Sequence, residues 1–248
     1  MNTYLVSGAG SGIGKCVAHQ IDSEGHSLIL LGRNAANLQA TLQDLPGKNH
    51  RVLIADIRNR SSLQAAAGQL NGAAIDGLIA CSGVGGSNQW GEQDRWDDVV
   101  TTNLTGTYNF VHSFLPAIQA SQANYKHIIV ISSAMSKVGM PGYQALCASK
   151  AGLNGLIRSW AVEWASHRIL VNGISPGWVA TAMADQALDE IAAYMSTSRE
   201  KAYEVAVQGV PLRKMSEPRE IADLVSYLLK QLSMTGENID INCGLSMQ

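Results

Sequence analysis

The sequence predicts an α/β fold: one domain, residues 1–248, built on a doubly wound parallel sheet of about seven strands with helices on both faces. Three observations predict it. Short β-rich runs alternate with longer helical stretches. Most of those runs are continuously apolar, as strands covered on both sides are. The first run passes through a glycine-rich turn straight into a helix start. Composition agrees, because 46% of the 248 residues are apolar and only 15% are charged, enough for a sizeable core.

The first strand is "TYLVS" (3–7), followed by the turn and a helix over 12–24. "SLILL" (27–31) is the second strand, with a helix over 34–44. "RVLIA" (51–55) and "DGLIA" (76–80) flank a helical stretch at 59–71. A long helical stretch, 94–120, leads to "HIIVIS" (127–132), and another, 143–166, leads to "ILVNGI" (169–174). A helix over 217–231 and the strand "NIDIN" (238–242) close the chain. Strand–helix alternation of this kind implies right-handed crossovers. The stretch 183–212 breaks the rhythm. It is helical in composition with no strand directly after it, which reads as a substrate lid or as an extra surface helix pair.

Charge and cysteine usage exclude several function classes. A formal net charge of -2 leaves no electrostatic footprint for nucleic acid, and no basic run suits an anionic membrane surface. No apolar run is long enough to span a bilayer, and the start of the chain reads as a strand rather than a signal peptide. Cys16, Cys81, Cys147 and Cys243 form no CxxC pair, and the six histidines show no ligand spacing, so no metal is expected. Reduced thiols fit a cytoplasmic protein. A small-molecule partner is the expectation.

The turn "SGAGSGIG" sets Gly8, Gly12 and Gly14 at GxxxGxG spacing, with Gly10 as an extra glycine. Such a turn lets backbone approach a pyrophosphate, and the helix start adds N–H groups and positive partial charge. At the end of the second strand an acidic residue would bind a ribose 2′-hydroxyl. This chain has Gly32 and then Arg33, which is either a solvated loop residue or a guanidinium for a 2′-phosphate, and on the second reading NADP(H) is preferred over NAD(H).

These motifs, in order and over essentially the full length, resemble the short-chain dehydrogenase/reductase family, a Rossmann-like group of oxidoreductases. "SGAGSGIG" resembles its TGxxxGIG turn, which implies cofactor contacts from Ser7, Gly8, Gly10, Ser11, Gly12, Ile13 and Gly14. "ADI" resembles the segment that holds adenine through Asp56 and Ile57. "NLTG" resembles the motif whose Asn103 braces the active site and supports a proton relay. Ser133 and Lys150 match the family's serine and lysine. "PGWVAT" resembles the segment in which Pro176, Gly177, Val179 and Thr181 lie against the nicotinamide end. The resemblance further implies a homotetramer or homodimer paired through the helices 94–120 and 143–166, whose small and apolar residues, Trp160 and Trp164 among them, otherwise only cover the sheet. Lys126, His167 and Arg168 read as solvated surface rather than as a docking site for an acyl-carrier protein.

Three departures stand out. "ACSG" (80–83) replaces NNAG, so Ala80 lacks the asparagine contacts between the central strands. "NCG" (242–244) replaces DGG. The tyrosine of YxxxK is Leu146, which has no proton to give. Tyr143, seven residues before Lys150, is the candidate substitute, since on an ideal helix the two share a face. This Tyr-x6-Lys spacing resembles the enoyl-acyl-carrier-protein reductases of the same superfamily. Tyr143 reads as the acid or as an aromatic wall of the pocket. The expected catalytic set is Tyr143, Ser133, Lys150 and Asn103. The expected activity is NADP(H)-dependent reduction of an α,β-unsaturated or 3-oxo acyl compound (an acyl thioester among them) or a similar small carbonyl substrate. The alternative is a nucleotide-binding partner subunit or regulator without catalysis.

Overall fold

The computed structural model describes residues 1–247. Seven parallel strands form one sheet in the order β3-β2-β1-β4-β5-β6-β7. They are β1 (Thr3–Ser7), β2 (Ser27–Gly32), β3 (Arg51–Ile54), β4 (Gly77–Ala80), β5 (Lys126–Ile131), β6 (Ile169–Pro176) and β7 (Asn238–Ile241). The order reverses between β1 and β4, and the crevice at the carboxyl ends of these strands is where such folds bind ligands.

The period-two pattern of the strands divides the core between two faces. Leu5, Ile29 and Leu31 pack on one side with Phe110, Phe114, Ile157 and Trp160. Tyr4, Val6, Leu28 and Leu30 pack on the other with Val17, Ile21, Val225 and Leu228. The helices that cover them are α1 (Gly12–Ser23), α2 (Ala35–Asp44), α3 (Arg60–Gly68), α5 (Thr107–Gln119), α6 (Gln144–Glu163) and α9 (Pro218–Leu229). Burying each large apolar side chain contributes about 1.5–3 kcal/mol. The fold is therefore the Rossmann-like doubly wound sheet that the alternation predicts.

The predicted helix over 94–120 is one run with a defect. It consists of α4 (Trp96–Val100), a π-helical turn (Thr101–Gly106) and α5. The wider turn contains Asn103 and Gly106, and a Cβ on Gly106 would come within 2.9 Å of the Ile57 side chain. The segment 183–212 holds two helices, α7 (Ala182–Tyr194) and α8 (Arg199–Ala206). They share a small core with the segment that follows them, including Leu188, Ala202 and Val210. Lys126, expected on a solvated surface, is buried within β5. Among the described residues no helix is long and apolar enough to cross a membrane.

Candidate active site

The glycine turn after β1 is sterically obligatory at two positions. Gly8 has φ +69°, and a Cβ there would stand 2.9 Å from the Ser82 amide nitrogen. A Cβ on Gly14 would stand 2.3 Å from the Gly8 carbonyl oxygen. Helix α1 then begins with an uncapped N-terminus: its N-cap residue Ser11 makes no side-chain capping bond, and the first turn has no acidic residue. Orphan N–H groups and positive partial charge at such a terminus suit an anion. The turn opens into a cavity of about 500 Å³.

The cavity runs along the carboxyl ends of the strands. At one end it is lined by Gly8, Gly10, Ser11, Gly12, Ile13 and Gly14, then by Arg33, Asp56 and Ile57. At the other end it is lined by Ser133, Tyr143, Leu146, Lys150, Pro176, Gly177, Val179 and Thr181. A glycine cradle, an open helix terminus and a guanidinium on the rim fit a phosphorylated dinucleotide.

Two of the expected residues stand behind the cavity rather than on it. Ser7 is buried, and its hydroxyl accepts from the amides of Cys81 and Ser82, each at 3.2 Å. It thereby ties β1 to the end of β4, where Ala80 has no side chain to do so. Asn103 is fully buried in the π-helical turn. Its Oδ1 accepts from the Val84 amide at 2.8 Å, and its Nδ2 donates to the Val84 carbonyl at 3.0 Å and to Ser149 Oγ at 3.4 Å. Both side chains shape the site through the 81–84 loop.

At the nucleotide end, Arg33 is more than half exposed and lies 4.0 Å from Asp56. Sequence reading missed the stronger partner. Arg58 donates to the Asp56 carboxylate through Nε and Nη2, the shorter contact being 2.7 Å. That bond, with smaller help from Arg33, holds the Asp56 carboxyl below the usual range. The signal for it was the local spacing Asp-x-Arg in "DIRN".

At the reacting end, Lys150 is buried and its Nζ donates to the Ile131 carbonyl at 2.8 Å. Burial pushes its pKa down to about 8. Burial also pushes the neighbouring Cys81 thiol up to about 12, so no thiolate forms there at neutral pH. Ser133 closes β5's end, its Oγ accepting from the Met135 amide at 3.1 Å. Leu146 lies one turn before Lys150 on the cavity wall.

Tyr143 corrects one expectation. It does not share a regular helical face with Lys150, because it is the N-cap residue of α6, with φ -120° and ψ 30°. The preceding Gly142 has φ +76°, so the chain turns into the helix only after Tyr143. The phenol nevertheless lines the cavity. Its pKa is raised, first by burial and then by the Glu190 carboxylate on α7.

The family model described as enoyl-(acyl carrier protein) reductase matches residues 8–246. A 3-oxoacyl-(acyl-carrier-protein) reductase FabG of Staphylococcus aureus is 29% identical, over 98% of this chain and 97% of its own. Carbonyl reductase family member 4 of Danio rerio is 31% identical, over 98% and 97% respectively. Among solved structures, a single-residue variant of actinorhodin polyketide ketoreductase with NADPH superposes with a TM-score of 0.91 at 28% identity, covering 98% of this chain and 97% of that one.

Proposed function

The chain belongs to the short-chain dehydrogenase/reductase family of NAD(P)-dependent oxidoreductases, and from that premise we propose that it reduces a 3-oxo or α,β-unsaturated acyl compound with NADP(H), Tyr143 serving as the proton donor. One observation carries the reading. Among the described residues, Tyr143 is the one phenol lining the cavity that also holds Ser133 and Lys150. The cofactor, when bound, supplies the hydride.

The chain's residues divide the remaining work. Gly8, Gly10, Ser11, Gly12, Ile13 and Gly14 hold the pyrophosphate, and Arg33 takes the 2′-phosphate. Asp56 and Ile57 flank the adenine. Lys150 binds the ribose, and Pro176, Gly177, Val179 and Thr181 lie along the nicotinamide. Ser133 donates a hydrogen bond to the substrate oxygen. Asn103 holds the 81–84 loop in place. Helices α7 and α8 act as the lid over the substrate end, α7 contributing Met183, Ala184 and Ala187 to its wall. Pairing of α5 and α6 with their counterparts in a homotetramer or homodimer belongs to the same reading.

The direction of reaction follows from the phenol. A raised pKa keeps Tyr143 protonated at neutral pH, as a donor needs. Alcohol oxidation needs the phenolate, and burial together with Glu190 opposes it. In carbonyl reduction the phenol proton passes to the substrate oxygen as that oxygen gains negative charge. In ene reduction it hydrogen-bonds the developing enolate oxygen. The FabG and carbonyl reductase relatives support the carbonyl substrate. NADPH and NADH oxidation assayed with paired 3-oxoacyl and enoyl thioesters tests the proposal, and no turnover of either substrate counts against it.

A second reading rests on Leu146, which leaves the usual donor position without a proton. A nucleotide-binding subunit without catalysis would bind NADPH in calorimetry and turn over neither thioester.

A further inference from the structure

Helix α6 starts without a cap of its own. Its N-cap residue is Tyr143, whose side chain makes no capping hydrogen bond. A cap oxygen ordinarily belongs to Ser, Thr, Asp or Asn at that position and accepts from the second or third amide of the helix. Here the oxygen comes from a distant loop. Asn88 Oδ1 accepts from the amide of Ala145, the second residue of α6, at 2.9 Å.

The same asparagine holds the chain on the other side of Tyr143. Its own amide donates to the Gly142 carbonyl at 2.7 Å. Its Nδ2 donates to Asp94 Oδ1 at 3.2 Å, and Asp94 Oδ1 also accepts from the Trp96 amide at 3.0 Å where α4 begins. Asn88 is only 6% exposed, so its hydrogen bonds are shielded from competing water. The Gly142 carbonyl precedes the phenol-bearing residue and the Ala145 amide follows it. Both are tied to one side chain and its backbone.

We propose that Asn88 is the positioning residue for Tyr143: from the loop between β4 and α4 it supplies the cap that a tyrosine cannot supply, and so fixes where the phenol stands in the cavity. This rests on Tyr143 being the proton donor. A capping residue at position 143 would leave no phenol there, and a tyrosine without an outside cap would leave the helix start frayed. Asn88 reconciles the two demands.

The test is turnover of a 3-oxoacyl thioester with NADPH in Asn88→Ala, Asn88→Asp and the swap N88D/D94N. Asn88→Ala leaves the Ala145 amide without its acceptor and lets the phenol reach solvent. The kcat is expected to fall about 10–100-fold, as for a misplaced reacting group, with KM for NADPH within about 2-fold. The pH profile should move as well. Burial and Glu190 raise the phenol's pKa, so a solvated phenol loses its proton at lower pH. The alkaline limb of kcat therefore shifts down. A purely structural role would lower the melting temperature without moving that limb.

Asn88→Asp keeps an acceptor for Ala145 but sets two carboxylates against each other. Adding Asp94→Asn restores a donor between them. The swap should recover kcat to within about 3-fold of the unaltered enzyme. This pair of variants also serves where Asn88→Ala does not fold. An unchanged kcat and alkaline limb in Asn88→Ala, or no recovery in the swap, overturns the inference. A Tyr143→Phe enzyme of undiminished turnover removes the donor assignment and this inference with it. A crippled Tyr143→Phe beside an Asn88→Ala enzyme of ordinary kcat removes this inference alone.

Discussion

Restoring the family tyrosine should speed the oxidative direction of the reaction. Leu146 lies four residues before Lys150 on α6 and faces the cavity. Four residues of helix rise ~6 Å. At an effective dielectric near 20, a phenolate at that distance from an ammonium gains ~2.8 kcal/mol, or ~2 pH units. Lys150, pushed down to about 8 by burial, still carries its proton through most of the neutral range. A phenol installed by Leu146→Tyr should therefore titrate below the usual ~10 while Lys150 stays charged. Tyr143 has the opposite environment, with burial and Glu190 holding its proton on. The cavity of about 500 Å³ has room for the larger ring. The assay is oxidation of a 3-hydroxyacyl thioester with NADP+, followed as a function of pH. Leu146→Tyr should raise that rate ~100-fold, the usual worth of a positioned base. An unchanged oxidation rate with a phenol titrating near ~10 would refute the reasoning.

Two further perturbations address the cradle and the core. Gly14→Ala forces a Cβ to 2.3 Å from the Gly8 carbonyl. The turn must open, at an overpacking cost of about 1–3 kcal/mol. Calorimetry should show NADPH binding weakened roughly 5–150-fold, and full affinity would contradict the cradle. His127, buried in β5, is pushed down to about 4 from an ordinary value of 6.5. The folded histidine stays neutral where the unfolded one takes up a proton. Stability from this source is complete above about pH 6.5 and is lost as pH falls through about 4. His127→Gln should flatten the fall in melting temperature across that window, with each kcal/mol moving the midpoint by roughly 2–4 °C. An equally steep fall in the variant would place the acid sensitivity elsewhere.

The sheet was legible because its signals are local. Apolar runs such as "SLILL" and "HIIVI" fall within a residue or two of β2 and β5, and the turn before α1 shows its glycines openly. The defect in the helix over 94–120 was hidden, because nothing in "TTNLTG" breaks helical periodicity. Its π-helical turn is settled by contacts to Val84 and Ile57, far away in sequence. Tyr143 reads from sequence as sharing a helical face with Lys150, but its backbone lies outside the helix. The glycine before it delays the helix by one residue, and the helix's cap lies 57 residues upstream of Ala145. Ser7 reads from sequence as a cofactor contact, yet its hydroxyl goes to the Cys81 and Ser82 amides. That long-range pairing becomes visible only once β1 and β4 are neighbours.

The most direct measurement is the single-turnover rate of NADPH oxidation by Tyr143→Phe with saturating 3-oxoacyl thioester. Losing a donor to the developing oxyanion should slow that step ~100–1,000-fold, while the affinity for NADPH stays as it was. A rate equal to that of the unaltered enzyme would contradict the account at its centre.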